Sequence, residues 1–131
     1  MSYMLDTNIC IFAIKDNANI LNMLHTHKDD GLFISAITLS ELEHGVYISQ
    51  HIEKNRIALI KFLLLATPLP YDETAANEYG RIRAYLQKNG KLIGATDMLI
   101  AAHAKSENMI LATNNTREFI RVPGLLIEDW V

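Results

Sequence analysis

Cysteine is almost absent: Cys10 is the only one in 131 residues. A lone thiol excludes an intrachain disulfide and a thiolate zinc cluster. Its setting, Asn8-Ile9-Cys10-Ile11-Phe12, is apolar and marks a small buried hydrophobe in preference to a nucleophile. Positive charge is scarce too. Lys and Arg number 12 against 15 Asp and Glu, a formal net charge of -3. That balance argues against a protein that holds nucleic acid by bulk positive charge. It leaves open a nucleic-acid enzyme that recruits a divalent cation where phosphate must sit. Long apolar runs are missing. Phe62–Ala66 is far too short to span a bilayer, and the first residues, which include Asp6, lack the basic start and apolar run of a signal peptide. A cytoplasmic protein with no membrane partner is the expectation.

Half of the residues are apolar, which excludes disorder and suits one domain over residues 1–131 with its own core. Nothing repeats, and no linker composition interrupts the chain. Ser2–Leu5 reads as a first strand that ends at Asp6. Helices follow over Ile9–Ile14 and Ile20–His27, then a turn at Asp29-Asp30-Gly31. Leu32–Ser35 is a second strand. A helix carrying Leu39, Glu41, Leu42 and Val46 comes next, and Ile48–Leu65 is helical until Pro68 and Pro70. Leu69 suits an edge strand, where proline is tolerated. Asp72 or Thr74 starts a helix that Asn89-Gly90 closes. Met98–Ala104 is a small, apolar helix. Met109–Ala112 and Leu125–Ile127 are the last strands, with a helical turn at Arg117–Ile120 between them. Short strands separated by helical crossovers predict an α/β fold, a mainly parallel sheet flanked by helices.

In such a sheet, sites form beyond the carboxyl ends of the strands. Asp6 ends the first strand, Thr113-Asn114-Asn115 ends a later one, and Asp97 opens a helix after a glycine-containing loop. Glu41 can reach the same edge from the helix after the second strand; as a solvent-facing residue it would be no different from Glu43. If Asp6, Glu41 and Asp97 converge, their mutual repulsion calls for a cation. Carboxylate oxygens suit Mg2+ or Mn2+, and such a site suits phosphodiester hydrolysis without a protein nucleophile. The glycines make no phosphate loop. His25 and His27 read as surface residues, His44 has no ligand motif, His51 is exposed, and His103 is a core group. Ser35 lies near a strand end without a nucleophile elbow.

Met4-Leu5-Asp6-Thr7-Asn8, then Thr38-Leu39-Ser40-Glu41-Leu42 with Gly45, then Gly94-Ala95-Thr96-Asp97-Met98 through Ala104, then Leu111–Phe119, and finally Pro123-Gly124-Leu125 with Glu128-Asp129-Trp130 follow one another across the whole chain. In order and spacing they resemble the PIN-domain family, and within it the VapC toxins of bacterial toxin–antitoxin pairs. The resemblance implies a PIN-like fold and an Mg2+- or Mn2+-dependent endoribonuclease. Its metal ligands would be Asp6, Glu41 and Asp97, and its substrate RNA, with close relatives cutting initiator tRNA. It also implies a homodimer, a VapB-like antitoxin whose C-terminal segment occludes the site, and promoter DNA bound only through that antitoxin. Asn115 departs from the pattern, since many relatives carry an acid there. It remains a catalytic candidate as an amide that orients water, and Glu118 is close enough in sequence to compensate.

Thr7, Asn8 and Thr113 are candidates to orient a carboxylate or a metal-bound water; Thr7 and Asn8 can also cap the first helix. Arg81, Arg83 and Lys91 lie in the densest basic stretch, before the Asp97 loop, and are candidates for RNA backbone contact against the commoner meaning of a solvated face. Leu42, Val46, Phe62 and Leu63 are candidates for partner contact, with burial in one subunit the simpler account. Two other readings compete. A metal-dependent phosphoacceptor domain would want paired acids after the first strand and a lysine near a late one, and neither is present. A non-catalytic binding module with a decayed site fits Asn115 but not the three acids.

Overall fold

The computed structural model describes all residues from 1 to 131. Strand β1 (Tyr3–Leu5) is buried throughout, as a central strand covered on both faces must be. Helices α1 (Thr7–Ile14) and α2 (Ala18–His27) follow, then a 3-10 turn at Lys28–Asp30. Gly31 has φ +92°, and a Cβ there would lie 3.0 Å from the Phe33 ring and the Ser2 hydroxyl, so only glycine fits this entry to β2 (Leu32–Ser35). Next come α3 (Ala36–Tyr47), α4 (Ile52–Leu63), β3 (Thr67–Leu69), α5 (Glu73–Lys88), α6 (Ala95–Ser106), β4 (Ile110–Thr113), α7 (Thr116–Phe119) and β5 (Ile127–Asp129). All five strands join one sheet in the order β3-β2-β1-β4-β5, and every pairing is parallel. The predicted α/β architecture with a parallel sheet and two helical layers is the one observed.

Alternation along the strands divides the core in two. Tyr3, Leu5, Leu32, Ile34 and Ala112 pack on one face with residues of α1 to α4. Met4 and Leu111 point to the other face, against α5, α6 and Phe119. From β1 the chain winds outward to β2 and β3, then crosses back to β4 on the far side of β1. The winding direction therefore reverses between β1 and β4. At such a reversal the connections diverge and leave a crevice at the carboxyl ends of the strands.

Several local expectations need correction. Residues 48–51 are not helical, and α3 and α4 are separate helices. The Ser49 hydroxyl donates to the Val46 carbonyl at 2.7 Å, a local bond that competes with helix continuation. The last strand is Ile127–Asp129, not Leu125–Ile127, because pairing begins at Leu111 with Ile127 after the turn at Gly124 (φ +76°). Strand β4 includes Thr113, and α6 begins at Ala95, so Asp97 lies inside its first turn. His27 is half-buried, stacked on Trp130 at 5.3 Å and close to Tyr3. Leu42, Val46 and Phe62 belong to the core, and the exposed large apolar side chains of this region are Ile48, Ile52, Ile57, Ile60 and Leu64. No helix is long and apolar enough to cross a membrane.

A buried polar pair joins the two layers of function. His103 on α6 and Ser35, the residue capping α3, are both fully buried, and Nδ1 meets Oγ at 2.7 Å. Ser35 Oγ also accepts from the Ile37 N–H at 3.1 Å. His103 Nε2 has no partner of good geometry, and burial lowers the pKa of the ring. A protonated ring would bury a charge there, so acid should open the fold. Because the folded-state value is lowered, the stabilisation is present above the unfolded value of 6.5 and is lost as pH falls below it. His103→Ala should cost about 2–4 kcal/mol at pH 7.5. Urea unfolding of the parent and His103→Gln at pH 7.5 and 5.5 should show the parent losing more stability than the variant on acidification; equal losses would refute the buried neutral imidazole.

Candidate active site

The site assembles from four segments. Asp6 follows β1 and serves as the N-cap of α1, its Oδ1 accepting from the Ile9 N–H at 3.0 Å. Capping of α1 therefore falls to Asp6 and not to Thr7 or Asn8. Thr113, at the end of β4, donates its hydroxyl proton to the other Asp6 oxygen. That hydroxyl oxygen also accepts from the Asn115 N–H at 2.9 Å. A carboxylate has about four lone-pair sites, so both Asp6 oxygens keep capacity for a further ligand. Asp6 is only 4% exposed. Burial raises its pKa against the hydrogen bonds from Thr113 and from the Ile9 and Asn8 amides, and the Glu41 charge adds to the rise.

Released from capping, Thr7 and Asn8 tie the crevice together. The Thr7 hydroxyl lies within hydrogen-bonding reach of both Glu41 and the Thr38 hydroxyl on α3. The Asn8 amide donates to Asn114 at 3.4 Å, a long bond across the β1–β4 reversal. Glu41 is exposed, unlike Asp6, and the Thr7 contact fixes its direction. Asp97 sits in the first turn of α6, with Gly94 as the cap. Its Oδ2 folds back over Gly94, 3.5 Å from where a Cβ would stand, where the helix N-terminus favours negative charge. Its pKa is nonetheless raised to about 6, first by burial and then by Glu118, Asp6 and Glu41.

Asp6, Thr7, Asn8, Ile11, Glu41, His44 and Asp97 line one open cavity of about 290 Å³. Asp6, Glu41 and Asp97 therefore meet in one cleft. Glu118 approaches Asp97 from α7, and Asn115 donates its amide to Glu118 at 3.2 Å. Asn115 thus orients the acid that stands beside Asp97. Arg81, Arg83 and Lys91 are exposed on α5 and the loop after it, and none lines the cleft. Arg83 instead donates to the Tyr79 hydroxyl at 2.7 Å. His44 lines the cleft although no ligand motif surrounds it, and buried Thr38 supports the cleft from behind through Thr7. Thr38 and His44 lie three residues either side of Glu41, and helical spacing from Glu41 alone would have placed them beside it.

Four carboxylates act on one another here without a lysine or arginine in the cleft wall. Hard oxygen donors of this kind suit Mg2+ or Mn2+. Behind burial, the charges of Glu118, Asp6 and Glu41 add to the rise at Asp97, and that part is the repulsion a divalent cation would relieve. No three His, Cys, Asp or Glu side chains are already closed into a coordination sphere. The residue types fit a divalent ion, while the closing of the ligands is left to side-chain adjustment.

Comparisons with known proteins identify the family. A PIN-domain family model matches residues 3–125. The tRNA(fMet)-specific endonuclease VapC of Shigella flexneri is 43% identical, over 99% of this chain and 98% of the relative. Ribonuclease VapC2 of Haemophilus influenzae is 43% identical over 100% of this chain and 99% of its own length. Among solved structures, VapBC2 of Rickettsia felis bound to a fragment of its promoter DNA superposes with a TM-score of 0.96 at 40% identity, with both chains fully covered. VapBC of Salmonella typhimurium bound to DNA gives 0.95 at 41% identity, covering 100% of this chain and 99% of the other. The chain belongs to the PIN-domain family, and within it to the VapC ribonucleases.

Proposed function

We propose that this chain, acting as one catalytic unit over its 131 residues, cuts transfer RNA, initiator tRNA among its targets, and so halts translation. The observation that carries the reading is the meeting of Asp6, Glu41 and Asp97 in one cleft at the β1–β4 reversal, with Glu118 beside Asp97. Asp6 and Asp97 would hold Mg2+ or Mn2+, with Glu41 completing the set. Bound there, the ion supplies an activated water and charge neutralisation at the phosphoryl group. The chain's own residues do the rest. Thr113 fixes the Asp6 carboxylate. Thr7 holds Glu41. Asn115 aims Glu118 at Asp97, supplying acid next to the position where the amide replaces one. This arrangement favours an active site over a decayed binding module.

Control by an antitoxin fits a second feature. A groove of about 650 Å³ runs between α1, α2 and α4, lined by Ala13, Ile14, Leu21, Ile57, Phe62 and Leu65 and edged by charged Glu53, Lys54 and Lys61. Its shape and apolar floor suit an amphipathic segment of a VapB-like partner. Helix α1 forms a wall of both groove and cleft, since Ile11 lines the cleft. A peptide seated in the groove therefore needs only to continue past α1 to cover the carboxylates. The VapBC assemblies of Rickettsia felis and Salmonella typhimurium were solved on DNA. By the same arrangement we place promoter binding on the antitoxin here, and assign the exposed isoleucines of α4 to homodimer or antitoxin contact.

Asp97→Asn should lower cleavage of total tRNA about 10³-fold or more in the presence of Mg2+; parental rates in the variant would end the mechanism. The same substitution should stabilise the metal-free protein. Because the folded Asp97 value is raised, parental stability falls as pH rises from 3.8 through about 6. The variant lacks that loss and gains on the order of 1 kcal/mol at pH 7, after allowance for solvent screening. Urea titrations at pH 4 and pH 7 read the difference. Exhaustive chelation should abolish cleavage and Mn2+ should restore it, so full activity in chelator would rule out the metal. An Arg81→Ala, Lys91→Ala double variant should bind tRNA more weakly with a shallower salt dependence in filter binding; unchanged affinity and slope would remove both from the RNA surface.

A further inference from the structure

Helix α3 presents more than Glu41 to the cleft. Leu42 and Val46 are buried in the core, which fixes how the helix is rotated. Thr38 and Glu41, three residues apart, both lie within hydrogen-bonding reach of Thr7. His44, another three residues on, lines the same cavity as Asp6, Glu41 and Asp97. By helix geometry His44 and Gly45 stand about 60° and 40° to either side of the Glu41 direction, and about 4.5–6 Å further along the axis. That displacement is on the scale of one nucleotide step.

Gly45 has no explanation inside the fold. It is exposed in the last turns of α3, its φ is not positive, and a Cβ built on it meets nothing within 4 Å. Glycine in a helix destabilises it relative to alanine, and no turn or tight packing offsets that here. What a bare helix surface permits is close approach by something outside the chain. The neighbouring imidazole has a matching role. Asp6, Glu41 and Asp97 offer only oxygens, and the Asn8 amide is turned to Asn114. Of the cleft side chains, His44 is the one that can present a ring N–H or a positive charge to a phosphate.

We propose that the RNA strand passes along α3 over the bare backbone of Gly45, where His44 donates a hydrogen bond to the phosphate next to the one being cut. His44 is a substrate-binding residue in this assignment and holds no metal. The inference rests on the ribonuclease reading above and adds the path of the strand.

The test is Mg2+-dependent cleavage of an end-labelled tRNA transcript by the purified protein, with Asp97→Asn as the blank. His44→Ala should raise KM about tenfold, the value of one hydrogen bond, and leave kcat within about threefold. His44→Lys should recover most of the loss and His44→Phe should not. Gly45→Gln should unfold at the same or higher urea concentration than the parent, yet lose about tenfold or more in kcat/KM. That combination of equal stability and lost cleavage is one a structural glycine does not produce. Parental KM in His44→Ala, or rescue by Phe and not by Lys, would overturn the phosphate contact. Parental kcat/KM in Gly45→Gln would overturn the path. So would a change in the molecular mass of the assembly that accompanies the loss, because it would make Gly45 an intersubunit contact. A parent no faster than Asp97→Asn would instead defeat the ribonuclease reading, and this inference with it.

Discussion

Like charges held together without a counter-charge are the constraint from which the rest of this molecule follows. Asp6, Glu41, Asp97 and Glu118 act on one another across the end of the sheet, with Asp97 displaced to about 6. Left to themselves, four flexible acids would turn away into water. The fold denies them that option by anchoring Asp6, Glu41 and Glu118 through neutral partners and fixing Asp97 by its place in a helix turn. Asp6 is spent as a helix cap and held by Thr113. Glu41 is tied to Thr7. Asp97 is folded over Gly94 in the first turn of α6. Glu118 is drawn in by Asn115. The anchoring groups are neutral hydroxyls and amides, which orient a carboxylate without cancelling its charge. Lysine or arginine in the same places would have neutralised the site and removed its appetite for a cation.

Holding such a site lowers stability, and the two cores carry the cost. The sheet is narrow, with strands of three or four residues, but it is buried on both faces by separate apolar clusters. The Ser35–His103 pair links them at the level of the site. β1 and β2 pair Met4 with Phe33, so Asp6 and Ser35, each two residues further on, stand side by side. Ser35 caps the helix that carries Glu41, and His103 lies six residues after Asp97 on α6. One buried hydrogen bond thus fixes two of the acid-bearing helices against each other. Its pH dependence has the opposite sign to that of Asp97. His103 favours the fold at higher pH and Asp97 at lower pH, so their effects partly offset across the range between about 4 and 6.5.

Much of this was legible in the chain. The strands and their parallel pairing could be read because each rests on local pattern, short apolar runs and crossovers too long for hairpins. Of the acids, Asp6 stands at a strand end and Asp97 follows a glycine-containing loop, whereas Glu41, inside α3, is separated from Glu43 only by the family resemblance. Longer-range physics decided the rest. Residues 48–51 looked helical by composition, yet a serine hydroxyl took the Val46 carbonyl. The last strand moved by two residues because β4 sets its register. His27 looked like a surface residue until Trp130 came back across 103 positions to stack on it. Asp6, Thr7 and Asn8 are all good caps by residue type, and only the bond from the Ile9 N–H singles out Asp6. No ligand spacing in the sequence marks His44, because its place depends on the rotation of α3, which the burial of Leu42 and Val46 determines.

Helix α1 has the widest consequences of any element. Its first turn is capped by a carboxylate of the cleft, Ile11 lines that cleft, and Ala13 and Ile14 form a wall of the apolar groove. The helix has only eight residues, too short to be stable alone, so it is held by what packs on either side. A partner that fills the groove therefore stiffens the same element whose N-terminus orients Asp6. On the proposed docking, a segment in the groove at Ala13 and Ile14 would have to run back along α1 toward its N-terminus to reach the carboxylates, and a basic side chain at its tip would supply the positive charge the cleft lacks. The same lack of positive charge that calls for a metal, and that keeps phosphate out until the metal is bound, leaves the cleft open to a cationic side chain.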